Sequence, residues 1–295
     1  MRFDSYHPMI NFVYFFAAIT CTVFFQQPVF VAISFVSSFA YTVKLKGRKA
    51  WIRNGCFCLF AVGYAIWYSF YHHFGETELK VNFIGNRITL ESIVYGLIVG
   101  ITIATVLMWF CCIFTLITAD KVVYLFGRIS PKLSLFLSIL LRTVPRIKSK
   151  ALYIESSREG IGKGVKQGNI LKRAQHLFSI ISILITWTME DFVESSNSMK
   201  NRGYSLKGRT AFSIYRFDNR DRGIVILFFM CLTMVEMAVL LDQTKMYYKP
   251  VITGNRITVL SYVFYLAYAL FLLLPMGLQM IGEYRFQKLR NKNVK

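Results

Sequence analysis

Acidic residues, histidines and the common catalytic motifs are scarce or missing in this sequence. Its 295 residues include 15 Asp and Glu against 35 Lys and Arg, and only 4 His. No GxSxG, HExxH or P-loop pattern is present, which excludes a Walker-type ATPase and the hydrolases that those motifs mark. His72, His73, Glu76 and Glu78 could hold a metal ion, but we interpret them as part of a solvated outer loop. We therefore expect no metal site and no enzymatic activity.

The six cysteines lack the spacing of a zinc site, and all of them lie in or beside apolar runs. Apolar residues, in contrast, are abundant: 55% of the residues are hydrophobic and 16% are aromatic. A soluble chain is usually about 45–50% apolar. Several runs here approach the roughly 20 apolar residues that cross a bilayer. The composition therefore predicts an integral membrane protein.

Six apolar runs predict an all-α polytopic membrane protein. They cover residues 9–25, 29–43, 51–71, 91–119, 223–241 and 257–282. No small-residue cleavage site accompanies the first run, so we interpret it as a retained span and not as a signal peptide. The runs divide the chain into a block of four helices at 1–119, a basic region at 120–222, and two helices with a basic tail at 223–295.

The distribution of basic residues predicts which side of the membrane each loop faces. Six spans place both termini on one side, together with 30 of the 35 Lys and Arg residues. Without the long basic region the split is still 11 to 5, and loops rich in Lys and Arg stay in the cytoplasm. Both termini and the basic region are therefore expected to be cytoplasmic. The net charge of +20 then reflects membrane topology and not a nucleic-acid partner.

A five-residue sequence, Gly-Asn-Arg-Ile-Thr, occurs twice on the expected outer side. One copy begins at Gly85 before the fourth apolar run, and the other begins at Gly254 before the last. We interpret both copies as a short β-like or turn element that leads into a helix, with the threonine as a helix cap.

Two long amphipathic helices are predicted in the basic region. Over residues 131–160 apolar side chains recur every three or four positions, and Pro145 is expected to kink or split the helix. Over residues 171–199 the same spacing continues without a break. The apolar centre of this second helix, 177–187, is too short to cross a membrane, so we expect it to be buried against protein or to lie in the interface.

The ends of the two helices carry similar arginine motifs. The first is Ser157-Arg158-Glu159-Gly160, and the second is Asn201-Arg202-Gly203-Tyr204. An arginine near a helix C-terminus complements the helix dipole by about 0.3–1 kcal/mol, and Gly203 suits a left-handed C-cap. Two such ends in one chain favour docking to a partner, because a guanidinium group can pair with both oxygens of a carboxylate.

The region that contains these motifs resembles the transmembrane T component of energy-coupling factor (ECF) transporters, the family that includes cobalt-transport permease subunits. The resemblance rests on Leu-Leu-Arg142-Thr-Val-Pro145-Arg146 and on the two motifs around Arg158 and Arg202. It implies a non-catalytic scaffold in a bacterial or archaeal plasma membrane, with long cytoplasmic coupling helices. The scaffold joins two ABC ATPase subunits to a substrate-binding S component for vitamin or metal-ion uptake. ATP and Mg²⁺ are then bound by the ATPases, and this chain needs no cofactor.

The resemblance also implies roles for individual residues. Arg158 and Arg202 are the docking arginines. The remaining residues are the motif neighbours Ser157, Glu159, Asn201 and Gly203, and the residues that support the coupling helices, Arg142, Pro145, Arg146, Glu190 and Asp191. The usual family motif is alanine-arginine-glycine or close to it. Because Ser and Glu flank Arg158 instead, Arg202 is the stronger candidate for docking.

Two other functions are weighed against this one. A self-sufficient secondary transporter or channel carries ionisable groups within its spans, and Glu236 and Glu91 are the candidates for such groups. A lipid-binding scaffold uses the basic region to contact anionic headgroups, at about 1 kcal/mol for each Lys or Arg near the surface. The second alternative is compatible with a coupling scaffold.

Overall fold

The computed structural model describes residues 3–72, 74–81, 87–204, 206, 215–249, 251–255 and 257–293. Nine α-helices occur in these residues, preceded by one short 3-10 helix (Phe3–Ser5), and they confirm the predicted all-α polytopic membrane fold. The α-helices are numbered in chain order. They are α1 (Pro8–Phe24), α2 (Pro28–Lys46), α3 (Arg48–Tyr71), α4 (Leu90–Leu116), α5 (Ala119–Ile129), α6 (Pro131–Gly160), α7 (Ile170–Asn201), α8 (Asn219–Leu240) and α9 (Val259–Asn293). Four short strands are also described, β1 (Glu78–Val81), β2 (Arg87–Thr89), β3 (Met246–Tyr247) and β4 (Thr253–Gly254).

Five of the described helices are long and apolar enough to cross a membrane, namely α2, α4, α7, α8 and α9. Helix α1 is apolar but has 17 residues, and α3 is outside this group; its first seven residues include Arg48, Lys49, Arg53 and Asn54. The prediction that α7 is too short to cross a membrane is wrong, because by length and composition the whole helix could span one. The prediction considered only the apolar centre, whereas the helix continues over 32 residues.

Prolines begin three of the helices, as expected from a residue whose φ angle suits the first turn. Pro8 begins α1, Pro28 begins α2 and Pro131 begins α6. Pro145 does not split the helix, because α6 runs through this residue to Gly160 and lines a groove with α7 on both sides of it. The other expected outcome, a kink at Pro145, stays a prediction. Helix α5 was not predicted, since the fourth apolar run was extended to residue 119 while α4 ends at Leu116.

Contacts divide the chain into two compact units. The first comprises Met1–Thr118 and Tyr215–Lys295, and the second comprises Ala119–Ile214. The division into three parts at 119/120 and 222/223 stays a prediction. Both arginine motifs belong to the second unit.

An aromatic core holds the first unit together. Trp109, Tyr14, Tyr41 and Tyr268 are among its largest fully buried side chains. Tyr14 packs edge-on against Trp109 with ring centroids 6.3 Å apart, and its hydroxyl donates a hydrogen bond of 2.9 Å to the Leu272 carbonyl. This tyrosine therefore links α1, α4 and α9 through a buried ring whose polar group is paired.

Helices α3 and α4 of the first unit approach each other closely at two glycines. A Cβ atom on Gly100 would lie 2.5 Å from the Ala61 carbonyl oxygen, and one on Gly96 would lie 3.1 Å from the Ala65 carbonyl oxygen. The two glycines are four residues apart and so lie on one face of α4. Small residues at this spacing are typical of closely packed membrane helices. This close contact was not predicted from the sequence.

Part of each Gly-Asn-Arg-Ile-Thr repeat belongs to an antiparallel hairpin, namely Arg87–Thr89 of the first copy and Gly254 of the second. Strand β2 pairs with β1 and leads directly into α4, and β4 pairs with β3 before α9. The β-like prediction is thus confirmed for these residues, whereas Gly85 lies outside the described residues. Thr89 occupies the predicted N-cap position of α4, but its hydroxyl donates its hydrogen bond to the Phe74 carbonyl and forms no capping bond.

Candidate functional site

The second unit contains an antiparallel pair of long helices, α6 and α7. Lys150 of α6 forms an ion pair with Asp191 of α7, and its Nζ lies 4.3 Å from the centroid of the Trp187 ring. Tyr153, three residues farther along α6, packs edge-on against Trp187 with ring centroids 6.3 Å apart. Since the partner numbers fall in α7 as they rise in α6, the helices run in opposite directions.

Helix α6 ends in a glycine-dependent C-cap. The backbone N–H of Lys163 donates to the Arg158 carbonyl at 2.9 Å, and that of Gly162 donates to the Glu159 carbonyl at 3.1 Å. Gly162 has a φ of +75°, which is the left-handed conformation that this pair of bonds requires. The pattern is a Schellman motif, and it satisfies two carbonyls that a helix end otherwise leaves to water.

Helix α7 ends in the same motif. The N–H of Tyr204 donates to the Met199 carbonyl at 3.2 Å, and that of Gly203 donates to the Lys200 carbonyl at 3.0 Å. Gly203 has a φ of +76°, so its predicted role as a left-handed C-cap is confirmed. The backbones of the two helix ends are therefore equivalent.

The two arginines occupy different places in these equivalent ends. Arg202 directly precedes the left-handed Gly203, whereas Arg158 lies four residues before the left-handed Gly162. The Arg202 side chain is exposed. Arg158 is half-buried, and its Nε is enclosed with no hydrogen-bond partner among the described residues. The guanidinium of Arg202 is thus presented to solvent more fully than that of Arg158.

The antiparallel arrangement places the motifs at opposite ends of the helix pair. Continuing the contacts of Lys150 and Tyr153 along α6 brings Arg158 opposite the first half of α7. Arg202 then lies about 20 residues farther along α7, which corresponds to about 30 Å at ~1.5 Å per residue. Two partners, each the size of a small domain, can therefore contact the two motifs separately.

The other residues of the motifs face solvent. The Ser157 hydroxyl donates a hydrogen bond of 2.9 Å to the Tyr153 carbonyl within α6. Glu159 and Asn201 are exposed, and no ion pair joins Glu159 to Arg158 in the described part of the chain. The Glu159 carboxylate therefore adds a negative charge next to the first motif that the second motif lacks.

Three of the five residues predicted to support these helices lie together. Arg142, Arg146 and Asp191 line one groove between α6 and α7. Pro145 and Glu190 are exposed and lie outside the groove lining. The structure thus brings the two arginines and one acid to a common surface and leaves the other two residues apart from it.

Lys150 and Trp187 were not predicted as site residues, yet they join the two helices at the end of this groove. The available signal was the spacing of Arg142, Arg146 and Lys150, which places three basic residues four apart on one face of α6.

We expect Asp191→Ala to loosen the contact between α6 and α7. The change removes the partner of Lys150, whose side chain is 19% exposed. Leaving such a group unpaired costs about 1–3 kcal/mol, and the lower end applies because the Asp191 side chain is 43% exposed. Hydrogen exchange of the α6 and α7 amides should become faster. Glu194→Ala, which removes an exposed carboxylate of the same helix, serves as the control, and equal exchange in the two variants would contradict a role for the ion pair.

The loop that carries His72, Glu76 and Glu78 belongs to the first unit, and its described residues are not arranged as a metal site. The His72 ring stacks on the Tyr68 ring with centroids 4.0 Å apart. Within the described ranges, no three His, Cys, Asp or Glu side chains are grouped to hold a metal ion. His73 lies outside the described residues, so the expectation of no metal site stays a prediction.

Comparison with known proteins finds partial similarity to one membrane protein. No family model matches the chain. Over 91 residues the chain is 29% identical to the "Energy-coupling factor transporter transmembrane protein EcfT" of Lactobacillus helveticus (strain DPC 4571). The aligned part covers 30% of this chain and 33% of that protein. The chain thus matches about a third of the length of this curated relative.

Proposed function

We propose that this chain is the transmembrane coupling scaffold of an ECF-type ABC importer. In this proposal it transmits ATP-driven motion from two ABC ATPase subunits to a substrate-binding S component that takes up a vitamin or a metal ion. The chain itself is not catalytic, and ATP and Mg²⁺ are bound by the ATPases. The partial similarity to the transmembrane protein of an energy-coupling factor transporter supports the proposal.

The observation that carries the proposal is the pair of glycine-capped helix ends that bear arginines. Each end belongs to a long helix, and a partner that displaces this end can move the whole helix as a rigid body. A guanidinium group beside the cap can donate two parallel hydrogen bonds to a carboxylate in a partner's groove. A separation of about 30 Å, close to the diameter of a small domain, leaves room for one ATPase subunit at each end.

The exposed apolar side chains of α7 support the other half of the proposal. Phe178 is 71% exposed and Val193 is 62% exposed, and both lie in the helix that connects the docking ends. Large exposed apolar surfaces mark contacts with lipid or with a protein partner. An S component that sits in the membrane provides a matching apolar surface. The basic charge of the same region agrees with cytoplasmic docking and with both termini in the cytoplasm.

The positions of Glu236 and Glu91 favour a scaffold over a self-sufficient transporter or channel. Glu236 lies on the exposed face of α8. Glu91 is buried at the start of α4 and accepts a hydrogen bond of 2.6 Å from the Thr77 hydroxyl. A transport pathway needs ionisable groups that face a common interior, and these two carboxylates lie on different helices in different environments.

Co-purification of the full-length chain with its two ATPase subunits tests the proposal. The double variant Arg158→Ala/Arg202→Ala should lower the recovery of ATPase at least ~10-fold, which is the effect of losing about 1.4 kcal/mol of binding energy. Membrane insertion and the apparent Tm should stay unchanged. The control Lys148→Ala/Lys200→Ala removes two exposed basic residues from the same helices. Wild-type recovery of ATPase with the arginine variant would falsify the docking role.

A further inference from the structure

A groove between α6 and α7 combines uncompensated positive charge with an apolar lining. It is a shallow groove that opens to solvent, and its enclosed volume is about 30 Å³. Its basic side is formed by Arg142, Arg146 and Lys150, which recur every four residues along α6. Asp191 is the one acidic residue that lines it. The groove therefore carries an excess of two positive charges.

The excess charge belongs to the two arginines. Lys150 is already engaged, since it forms the ion pair with Asp191 and lies over the Trp187 ring. Neither Arg142 nor Arg146 forms an ion pair or a hydrogen bond with a side chain in the described part of the protein. Side chains four apart on a helix are neighbours, with Cβ atoms about 5–6 Å apart. Two guanidinium groups at this distance can both donate hydrogen bonds to one phosphate group.

The α7 side of the groove adds a hydroxyl and apolar atoms. Ser195 lines it opposite the arginines and offers a hydrogen-bond donor. Ile139, Phe192 and Met199 line it as well. A ligand that fills this site therefore has an anionic part and an apolar part.

We propose that the groove binds an anionic phospholipid, with the headgroup phosphate held by Arg142, Arg146 and Ser195 and an acyl chain along Phe192 and Met199. Phosphate oxygens accept the parallel hydrogen bonds of guanidinium groups, and basic pockets between helices bind acidic headgroups in other membrane proteins. An acidic peptide uses the arginines but leaves the apolar lining exposed. The bound lipid bridges α6 to α7 and so stabilises their pairing.

Binding of defined lipids to the purified full-length protein in a neutral detergent tests this site. Native mass spectrometry and the apparent Tm are measured with a short-chain phosphatidylglycerol, with phosphatidylcholine of the same chain length, with inorganic phosphate and with an oligoglutamate peptide. Phosphatidylglycerol should bind at least ~10-fold more tightly than the other three and should raise the Tm. Tighter binding of phosphate alone or of the peptide would overturn the assignment to a lipid.

Matched variants separate a defined site from general electrostatic attraction. Arg142→Gln/Arg146→Gln should weaken phosphatidylglycerol binding ~10-fold or more. The control Lys132→Gln/Lys148→Gln removes the same charge from exposed positions of α6 outside the groove, and it should bind like the wild type. Equal weakening in both variants would reject the site. The Tm of each variant without lipid shows whether the substitutions impair folding. Ser195→Ala keeps both arginine charges, so weaker phosphatidylglycerol binding by this variant tests the contact of Ser195 with the phosphate separately. No ATPase is present, so the outcome is independent of the proposed coupling function.

Discussion

Arg202→Glu is expected to reduce the recovery of ATPase subunits with the full-length chain at least ~10-fold, and more than Arg158→Glu does. Arginines at the centre of an interface commonly contribute about 2 kcal/mol or more to binding, and charge reversal adds repulsion from any acidic groove. Arg202 directly precedes the left-handed Gly203 and its side chain is exposed. These features make its guanidinium the better presented of the two.

Arg158 should give the smaller effect for two structural reasons. Its Nε is enclosed in the described structure, so its guanidinium must rearrange before all its donors reach a partner. The exposed Glu159 next to it also repels an acidic groove. Glu159→Gln is therefore expected to increase ATPase recovery in the wild-type background.

Lys200→Glu is the matched control for Arg202→Glu, because Lys200 is an exposed basic residue in the last turn of the same helix. If general attraction between a basic helix end and an acidic partner explains docking, both variants should lose ATPase to the same extent. If Arg202 docks through directed hydrogen bonds, Lys200→Glu should retain most of it. An equal loss in the two variants would therefore contradict specific docking by Arg202.

The helices of the second unit were predictable because their apolar side chains recur at the helical period. This spacing located the bodies of α6 and α7, and Gly203 marked the end of α7 since it directly follows Arg202. The end of α6 was harder to define. Gly160, Gly162 and Gly164 all follow Arg158 closely, and only Gly162 has a positive φ. Sequence alone does not choose among three alternating glycines, so the different placement of the two arginines became visible only in the structure.

Contacts between distant segments were beyond the sequence patterns for a similar reason. The pairing of Lys150 with Asp191 joins residues 41 positions apart, and the register of two helices is set by how their side chains interlock. The length of α7 was underestimated for another reason. The apolar centre of this helix was considered alone, although the apolar surface of a helix extends over its full length.

Gly100→Ala is expected to lower the free energy of unfolding of the first unit by about 1–3 kcal/mol, the usual cost of forcing an extra carbon into a packed contact. The new Cβ would lie 2.5 Å from the carbonyl oxygen of Ala61. That atom belongs to the backbone of α3, so it cannot move aside as the end of a side chain can. Helices α3 and α4 must separate instead. The apparent Tm of the full-length protein in detergent measures the effect.

The same substitution at two other glycines gives a graded control. Gly96→Ala should cost less than Gly100→Ala, because its Cβ would lie 3.1 Å from the nearest atom, the Ala65 carbonyl oxygen. Gly63→Ala on α3 has no atom within 4 Å of the new carbon, and alanine favours a helix by up to about 1 kcal/mol over glycine. It should leave the Tm unchanged or raise it. The Tm is therefore expected to fall in the order Gly63→Ala, Gly96→Ala, Gly100→Ala, as the new Cβ lies closer to the neighbouring helix. A Gly100→Ala protein as stable as the Gly63→Ala protein would show that α3 and α4 do not need this contact.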